Sequence, residues 1–264
     1  ICLRHSLSLV CLSAKLFEID SPSPTATSWI LRDCYSTYIV TMDDKIISIN
    51  TQGFFEDDIL RFVNFHKPLV LAITEHKQRN LSNLQLDGYN VATGFPAITG
   101  QRGAALLVRK NVFYRVRDDL NSFSYDGVFE ACSVEISFPE YDMVITALYR
   151  SPSSSKTEFD RQLARFLARI SIESDKKHII AGDYNIDNTN EVTKRVLRRF
   201  GFRYNVRSAT HDEGRCLDNF ITDFQPARTQ VLTNSRISDH RPIVLYHPAP
   251  LYGGLFFSFQ PTCY

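Results

Sequence analysis

Acidic, amide and phenolic side chains occur at the ends of apolar segments of this sequence. In the stretch AGDYNID, Asp183 and Asn185 come directly after the apolar run HIIAG. Asn50 ends IISIN, Glu75 follows LVLAIT, and Tyr149 ends VITALY. If the ends of neighbouring strands converge, as they do in most layered α/β proteins, these side chains meet in one cleft.

Three further polar residues extend this set. Asp218 lies within CLDNF, and Asp239 and His240 directly precede RPIVLY. Carboxylates placed close together cannot all be ionised without a compensating cation, and oxygen ligands suit Mg²⁺ or Mn²⁺ but not Zn²⁺. The four carboxylates therefore imply a divalent metal: Glu75, Asp183, Asp218 and Asp239. Carboxamides and a histidine beside such a metal supply the donors that a phosphoryl-transfer site requires.

The segments that carry these residues have the composition of β-strands. They are short, rich in aliphatic and β-branched residues, and bounded by turn residues. The strands predicted in this way are KIISIN (45–50), PLVLAIT (68–74), GAALLV (103–108), FEACSVEI (129–136), DMVITALY (142–149), KHIIAG (177–182), CLDNFIT (216–222) and PIVLY (242–246). Helical spacing lies between some of them, which indicates layered sheets covered by helices.

Three helices are predicted between the strands. One is FEDDILRFVNFH, and a second has its apolar face from Phe159 to Ile170 and an S-x-x-E capping box at Ser155. The third runs from about Glu191 to Phe200, with Val192, Val196, Leu197 and Phe200 on one face and Gly201 at the C′ position. Residues 1–44 are predicted to be a poorly structured N-terminal extension, 45–247 one α/β domain, and 248–264 an irregular C-terminal tail.

The overall composition excludes several classes of protein. Thirty basic and twenty-nine acidic residues give a formal net charge of +1, so no global field attracts nucleic acid or a membrane surface. The six cysteines form no C-x-x-C pair, which favours free thiols in a reducing, intracellular compartment. No apolar run approaches the roughly 20 residues that span a bilayer, so no membrane partner is expected.

The ordered motifs SIN, ITEH, LYRSP, GDYN, CLDNF and SDH resemble those of the endonuclease/exonuclease/phosphatase superfamily. The resemblance covers roughly residues 45–247 and implies a four-layer α/β sandwich, with two mixed β-sheets packed face to face and helices outside. LYRSPSSSKTEF, GDYNID, CLDNFITD and ISDHRPIV are most similar to the endonuclease domains of non-LTR (LINE-type) retrotransposons. The resemblance thus implies a Mg²⁺-dependent endonuclease that nicks DNA by water attack, acts in the nucleus, and serves a reverse transcriptase.

The same resemblance implies a role for each matching residue. Glu75 would bind the metal, and Asp239 would assist metal binding or stabilise the leaving group. Asp183 would deprotonate the attacking water. His240, oriented by Asp218, would donate to a phosphate oxygen. Asn50 and Asn185 would hold the reacting groups by hydrogen bonds, and Tyr149 would contact the phosphate.

Two features leave alternatives open. Repair endonucleases of this superfamily usually carry an acidic residue at the position of Gln52, so a repair enzyme is disfavoured. The basic stretch that includes Arg195, Arg198 and Arg199 is either a solvated helix face or a contact to nucleic-acid phosphates. The alternative functions are a superfamily phosphatase, an RNA nuclease, or a decayed or domesticated copy that binds nucleic acid without cutting it.

Overall fold

The computed structural model describes residues 45–54, 56–138, 140–235 and 237–246. Its strands are β1 (Lys45–Asn50), β2 (Val70–Thr74), β3 (Tyr89–Phe95), β4 (Ala104–Arg109), β5 (Arg115–Val116), β6 (Glu130–Ser137), β7 (Asp142–Tyr149), β8 (Lys176–Asp183), β9 (Arg203–Tyr204), β10 (Asp218–Thr222), β11 (Arg228–Val231) and β12 (Ile243–Tyr246). Its helices are α1 (Glu56–His66), α2 (Asp118–Asn121), α3 (Lys156–Ile170) and α4 (Glu191–Arg199), with a 3-10 helix at Leu81–Leu84.

The strands form two six-stranded mixed sheets. Sheet A has the order β11-β12-β1-β2-β4-β3, and sheet B has the order β5-β6-β7-β8-β10-β9. Each sheet contains one parallel pair, β1 with β2 and β7 with β8, and the other pairs are antiparallel. Each parallel pair lies at the centre of its sheet, next to the strand ends that carry the polar residues.

Three apolar clusters define four layers. The first contains side chains from both sheets, such as Val70 and Ile179, and fills the space between them. The second packs α3 and α4 on the outer face of sheet B, and the third packs α1 on the outer face of sheet A. The predicted sandwich of two mixed sheets with helices outside is therefore confirmed.

The central strands were predicted because they are buried on both faces. In β2, Val70 and Ala72 face the other sheet while Leu71 and Ile73 face α1, which produces a continuous apolar run. All eight predicted strands exist, with ends that differ by at most two residues. The four strands that the sequence did not predict, β3, β5, β9 and β11, are the four edges of the two sheets. Edge strands contact one neighbour only, so they lack such apolar runs.

The helices follow the predicted positions with two corrections. Ser155 accepts a hydrogen bond from the N–H of Glu158, but the Glu158 carboxylate pairs with Arg161, so only half of the capping box forms. Val192 is exposed, and the prediction that it lies on the buried face of α4 is wrong. Thr193 is buried instead, because its hydroxyl donates to the Asp160 carboxylate on α3.

The predicted extension (1–44) and tail (248–264) lie outside the described residues. Among the described cysteines, Cys132 and Cys216 are free and buried, in agreement with the predicted thiols. Within the described part of the chain, no helix is both long and apolar enough to cross a membrane.

Candidate active site

Four polar residues lie side by side across one end of sheet B. Glu130 of β6 pairs with Tyr149 of β7, Tyr149 pairs with Asp183 of β8, and Asp183 pairs with Asp218 of β10. Residues that are opposite each other in a sheet point to the same face, and here this face is turned toward sheet A. The register of the strands therefore places three carboxylates and a phenol at one edge of the core.

Asp183 is the best-connected member of this row. Its Oδ2 accepts hydrogen bonds from Asn50 Nδ2 at 2.9 Å and from Asn185 Nδ2 at 3.0 Å, and its Oδ1 accepts the backbone N–H of Asn185 at 2.9 Å. Because Asn50 ends β1, the bond from Asn50 joins the two sheets. Asn185 reaches back to Asp183 because its φ of +47° turns the chain sharply after β8. A positive φ at a non-glycine residue is strained, and such strain is common at functional sites.

His240 lies between two of the carboxylates. Its Nδ1 is 2.8 Å from Asp218 Oδ2, and its Nε2 is 3.9 Å from Asp183 Oδ2. Burial lowers the pKa of His240, but the hydrogen bond and the charge of Asp218, with smaller contributions from Asp183 and Asp239, more than offset this and raise it above the usual range. Burial also raises the pKa of Asp183, and the charge of Asp218 raises it further. An imidazolium thus compensates part of the negative charge.

Close contacts fix the backbone next to Asp183 and Asp218. A Cβ on Gly182 would lie 1.8 Å from the carbonyl oxygen of Leu148, so only glycine allows β8 to approach β7 directly before Asp183. Thr210 Oγ1 accepts the backbone N–H groups of Leu217 and Asp218, each at 3.0 Å. Thr210 is fully buried and positions the start of β10.

Glu75 lies beside Tyr149 on the other side of Asp183. The Tyr149 hydroxyl forms a hydrogen bond with the Glu75 carboxylate, and burial together with the charges of Glu75 and Asp183 raises the pKa of the phenol. Glu75 has a φ of +52°, and its N–H donates to the carbonyl of Gly103 at 2.8 Å. These contacts turn the Glu75 side chain away from β2 and into the site.

His76 supports this turn. It is fully buried, its Nδ1 accepts the N–H of Gln78 at 3.0 Å, and its Nε2 lies 3.1 Å from the Phe95 carbonyl. Burial lowers the pKa of His76, so the neutral ring donates from Nε2. A Cβ on Gly103 would lie 2.4 Å from this ring, which explains the glycine. His76 is therefore a structural residue that positions Glu75.

Asp239 offers a carboxylate oxygen that has no hydrogen-bond partner among the described residues. Its Oδ1 is buried and lies 3.8 Å from His240 Nε2, while its Oδ2 lies 3.5 Å from His211 Nε2. His211 Nδ1 accepts the N–H of Glu213, which leaves the ring proton of a neutral His211 on Nε2, toward Asp239. A free buried carboxylate oxygen, next to carboxylates that need charge compensation, fits a hard divalent cation.

Two groups of side chains lie close enough to share a metal ion. One is Asp183, Asp218 and His240, and the other is His211, Asp239 and His240. Glu75 is in neither group, although its contact with Tyr149 places it at the same cleft.

The sequence alone did not identify Glu130, Thr210 and His211. Glu130 is fully buried and accepts the N–H groups of Gly103 at 2.9 Å and Gly127 at 2.8 Å, with Arg102 Nε at 3.0 Å. Burial raises the pKa of its carboxyl group. One signal was present, because Glu130 shares the inward alternation of Cys132 and Val134 along β6. For Thr210 and His211, which lie in an irregular segment, no such periodicity exists.

The predicted nucleic-acid contacts lie on α4, away from this cluster. Arg195, Arg198 and Arg199 are exposed, and Arg198 pairs with the exposed Glu191 at 3.4 Å. The structure thus brings together the predicted residues Asn50, Asp183, Asn185, Asp218, Asp239 and His240, and joins Glu75 and Tyr149 to them through Asp183.

Solved structures of low sequence identity share this fold. The AP endonuclease LMAP from Leishmania major superposes with a TM-score of 0.63 and 16% identity, covering 78% of this chain and 88% of that chain. The endonuclease domain of TRAS1, a telomere-specific non-LTR retrotransposon, gives 0.62 and 14%, covering 78% and 99%. A mannosyl-6-phosphatase from Bacteroides thetaiotaomicron gives 0.56 and 14%, covering 76% and 98%. None of the curated protein sequences matches the chain.

A family profile described as the Endonuclease/Exonuclease/phosphatase family matches residues 47–240. The match begins in β1, three residues before Asn50, and ends at His240, so it includes every residue of the cluster around Asp183. This agreement between sequence profile, fold and site makes the chain a member of the Endonuclease/Exonuclease/phosphatase family.

Proposed function

We propose that the protein is a metal-dependent endonuclease that nicks DNA and leaves a 3′-hydroxyl group. Enzymes of its family are hydrolases that act on phosphodiester bonds and generally use divalent metal ions. The observation that carries the proposal is the environment of Asp183, a buried carboxylate held by Asn50 and Asn185 within reach of the His240–Asp218 pair. Its raised pKa suits a group that accepts a proton near neutral pH.

The chain's own residues account for the proton and charge movements of hydrolysis. Asp183 accepts a proton from the attacking water, whose oxygen forms the new bond to phosphorus. The bond from phosphorus to the 3′ oxygen breaks, and this oxygen takes up a proton from solvent water to give the 3′-hydroxyl. His240, held in one orientation by Asp218, donates to a non-bridging oxygen as negative charge develops there. Tyr149 and Asn185 contact the phosphate and the water.

The proposed metal ion would be bound by acidic residues of the same cleft. Glu75 and Asp239 would hold it, since both carboxylates border the site and Asp239 has a buried oxygen without a hydrogen-bond partner. A bound divalent cation neutralises charge on the reacting phosphate and the leaving oxygen.

DNA is the proposed substrate on two grounds. The sequence motifs are similar to those of retrotransposon endonucleases, and the TRAS1 endonuclease domain shares the fold. Target-site nicking of chromosomal DNA takes place in the nucleus and supplies a primer to a reverse transcriptase, the proposed partner. The exposed arginines of α4, Arg195, Arg198 and Arg199, would contact phosphates, and this makes binding dependent on salt.

The test is nicking of supercoiled plasmid by the purified protein with Mg²⁺ and with excess EDTA. We expect nicking with Mg²⁺ only, and its loss in Asp183→Asn. Asp187→Asn is the matched control, because Asp187 lies four residues later and caps a local turn at Thr189. Equal nicking in EDTA would refute the metal requirement. Faster hydrolysis of phosphomonoesters or RNA than of DNA would instead identify a phosphatase or an RNA nuclease. Binding of DNA without cutting would identify a decayed copy.

A further inference from the structure

A cavity of about 500 Å³ lies between α4 and the segment that contains β9. Its lining includes the buried side chains Leu197, Phe202 and Val206 and the half-buried ring of Tyr204. Cavities of roughly 300–1,000 Å³ with apolar walls are typical of small-molecule sites. The volume and the aromatic wall suit a planar ring system.

The rest of the lining is strongly basic. Four cationic side chains border the cavity: Lys194, Arg198, Arg203 and Arg207. Lys194 and Arg198 share one carboxylate, that of the exposed Glu191, at 3.1 Å and 3.4 Å. Arg203 and Arg207 are exposed, and neither forms an ion pair with any of the described residues. The cavity therefore has an excess of positive charge and two guanidinium groups that are available to an anion.

The cavity is linked to the active site by short contacts. Asn188, which lines it, lies five residues after Asp183, and its Nδ2 donates to the Val206 carbonyl at 3.0 Å. The N–H of Asn188 donates to the carbonyl of Cys216, two residues before Asp218. Arg207 lines the cavity and is the residue after Val206, three residues before Thr210 in the sequence.

We propose that this cavity binds a nucleoside monophosphate unit, with the base against Tyr204 and Phe202 and the phosphate between Arg203 and Arg207. Base stacking on aromatic side chains and guanidinium–phosphate hydrogen bonds are the two interactions that such a unit requires. Inorganic phosphate alone would leave the apolar wall unused, and a nucleoside alone would leave the cations unpaired. The unit comes either from a bound nucleic-acid strand or from a free nucleotide.

The proposal that the bound unit belongs to a nucleic-acid strand rests on the proposed function, whereas the proposal that the cavity binds a nucleotide does not. Binding is therefore measured in EDTA, where cleavage is absent, by isothermal titration calorimetry of the full chain with 5′-dAMP. We expect 5′-dAMP to bind at least about tenfold more tightly than inorganic phosphate or deoxyadenosine. The Arg203→Gln, Arg207→Gln double variant should lose at least about tenfold in affinity.

Two controls separate the cavity from general basic charge. Arg61→Gln removes the same charge from α1, outside the cavity, and Arg165→Gln does so on α3. Both should leave 5′-dAMP binding unchanged. Tyr204→Leu keeps an apolar wall but removes the ring, and it should weaken 5′-dAMP without affecting the weak binding of phosphate.

The remaining outcomes decide between proposal and refutation. If 5′-dAMP does not bind, binds no better than phosphate, or binds the double variant as well as the unchanged protein, the proposal is wrong. If the double variant raises KM for plasmid nicking at unchanged kcat, the bound unit belongs to the substrate strand. If 5′-dAMP binds but KM stays unchanged, the ligand is a free nucleotide. A protein that fails to nick under any condition but binds 5′-dAMP refutes the proposed function and leaves this inference intact.

Discussion

His240 and Asp218 are both buried, and each satisfies the other. A buried carboxylate needs a partner, and an imidazole is useful in a site only when it is held in one orientation. The 2.8 Å contact between Nδ1 and Oδ2 meets both needs and leaves Nε2 facing Asp183. These two residues should therefore act as a unit.

The prediction at this scale is a double-mutant cycle on plasmid nicking. Asp218→Asn and His240→Ala should each slow the reaction by roughly 10²-fold or more, as is typical when a positioned acid or donor is lost. The double variant should be hardly slower than either single variant, because residues that act as a unit are not additive. Losses that multiply, or an active Asp218→Asn protein, would show that the pair does not act together.

Glu130 permits a prediction about stability. Glu130→Ala leaves the N–H groups of Gly103 and Gly127 without their buried acceptor, and it removes the ion-pair partner of Arg102. Breaking a buried charge pair costs about 3–5 kcal/mol, and we expect the lower end because Arg102 is 21% exposed and also contacts Asp126. Urea unfolding measures the effect, with the exposed Glu140→Ala as the control that should be unchanged. Equal stability of Glu130→Ala would show that the glycine N–H groups find other acceptors.

The eight predicted residues end, interrupt or closely flank apolar runs, and the fold brings them to one cleft. Glu130 begins the apolar strand β6, but polar residues occur at the first position of strands for many reasons. Its position alone therefore did not identify it. Thr210 and His211 act through the start of β10 and through Asp239, and these contacts join chain segments that sequence spacing does not relate. Periodicity identifies which residues share a strand, whereas the partners of a loop residue depend on the tertiary fold.

At the scale of elements, α4 is fixed at its start by one side chain. Asn190 Oδ1 accepts the N–H groups of Val192 and Thr193, both at 3.1 Å. Thr193 then joins α4 to α3 through Asp160. This contact explains why Val192 faces solvent, since the helix is rotated to bury the threonine. An apolar pattern alone does not foresee a polar contact that sets the rotation of a helix.

Asn190→Ala should therefore destabilise the protein by about 1 kcal/mol, the usual loss for a side-chain N-cap. Asn190→Asp should cost much less, because aspartate also accepts these bonds and its charge suits a helix N-terminus. Chemical denaturation with unchanged m-value is the measurement. If alanine and aspartate have equal effects, the cap does not contribute to stability.

A second group of elements is joined by Arg117 at the opposite end of sheet B. Arg117 is buried and pairs with Glu135 of β6 at 2.8 Å, with Glu173 after α3 at 2.6 Å, and with Asp119 of α2 at 2.8 Å. Burial of Glu173 would raise its pKa, but hydrogen bonds from Arg117 and Arg169 more than offset this and lower it to about 2.

The lowered pKa of Glu173 sets the pH range in which this residue stabilises the folded protein. A carboxyl group with a lowered pKa in the folded state stabilises it above the unfolded pKa, and this contribution is lost as pH falls through the folded pKa. For Glu173 the range lies between its ordinary value of 4.5 and about 2. Glu173→Gln should unfold a few degrees below the unchanged protein at pH 6, and the difference should narrow toward pH 2. A difference that is constant from pH 6 to pH 2 would contradict this.

For the whole molecule, the two sheets are joined at the site by several contacts, which include Asn50 to Asp183 and the N–H of Gly103 to Glu130. The residues of the cleft come from both sheets and from loops far apart in sequence, so sheet packing and site assembly are coupled. The layer arrangement was predictable from the motifs, because apolar runs of central strands are unambiguous. The edges β3, β5, β9 and β11 were not predictable, since half-exposed strands resemble loops in composition.

The position of β12 has a consequence for how the enzyme is made. β12 lies between β1 and β11 in sheet A, and it follows His240 directly in the chain. During translation, β1 therefore emerges from the ribosome almost two hundred residues before its neighbour β12. Because long-range strand pairing is slow and leaves edges exposed, a nascent chain must wait with β1 unpaired on one side. It also lacks His240, so the candidate site is complete only when almost all of the domain has been synthesised.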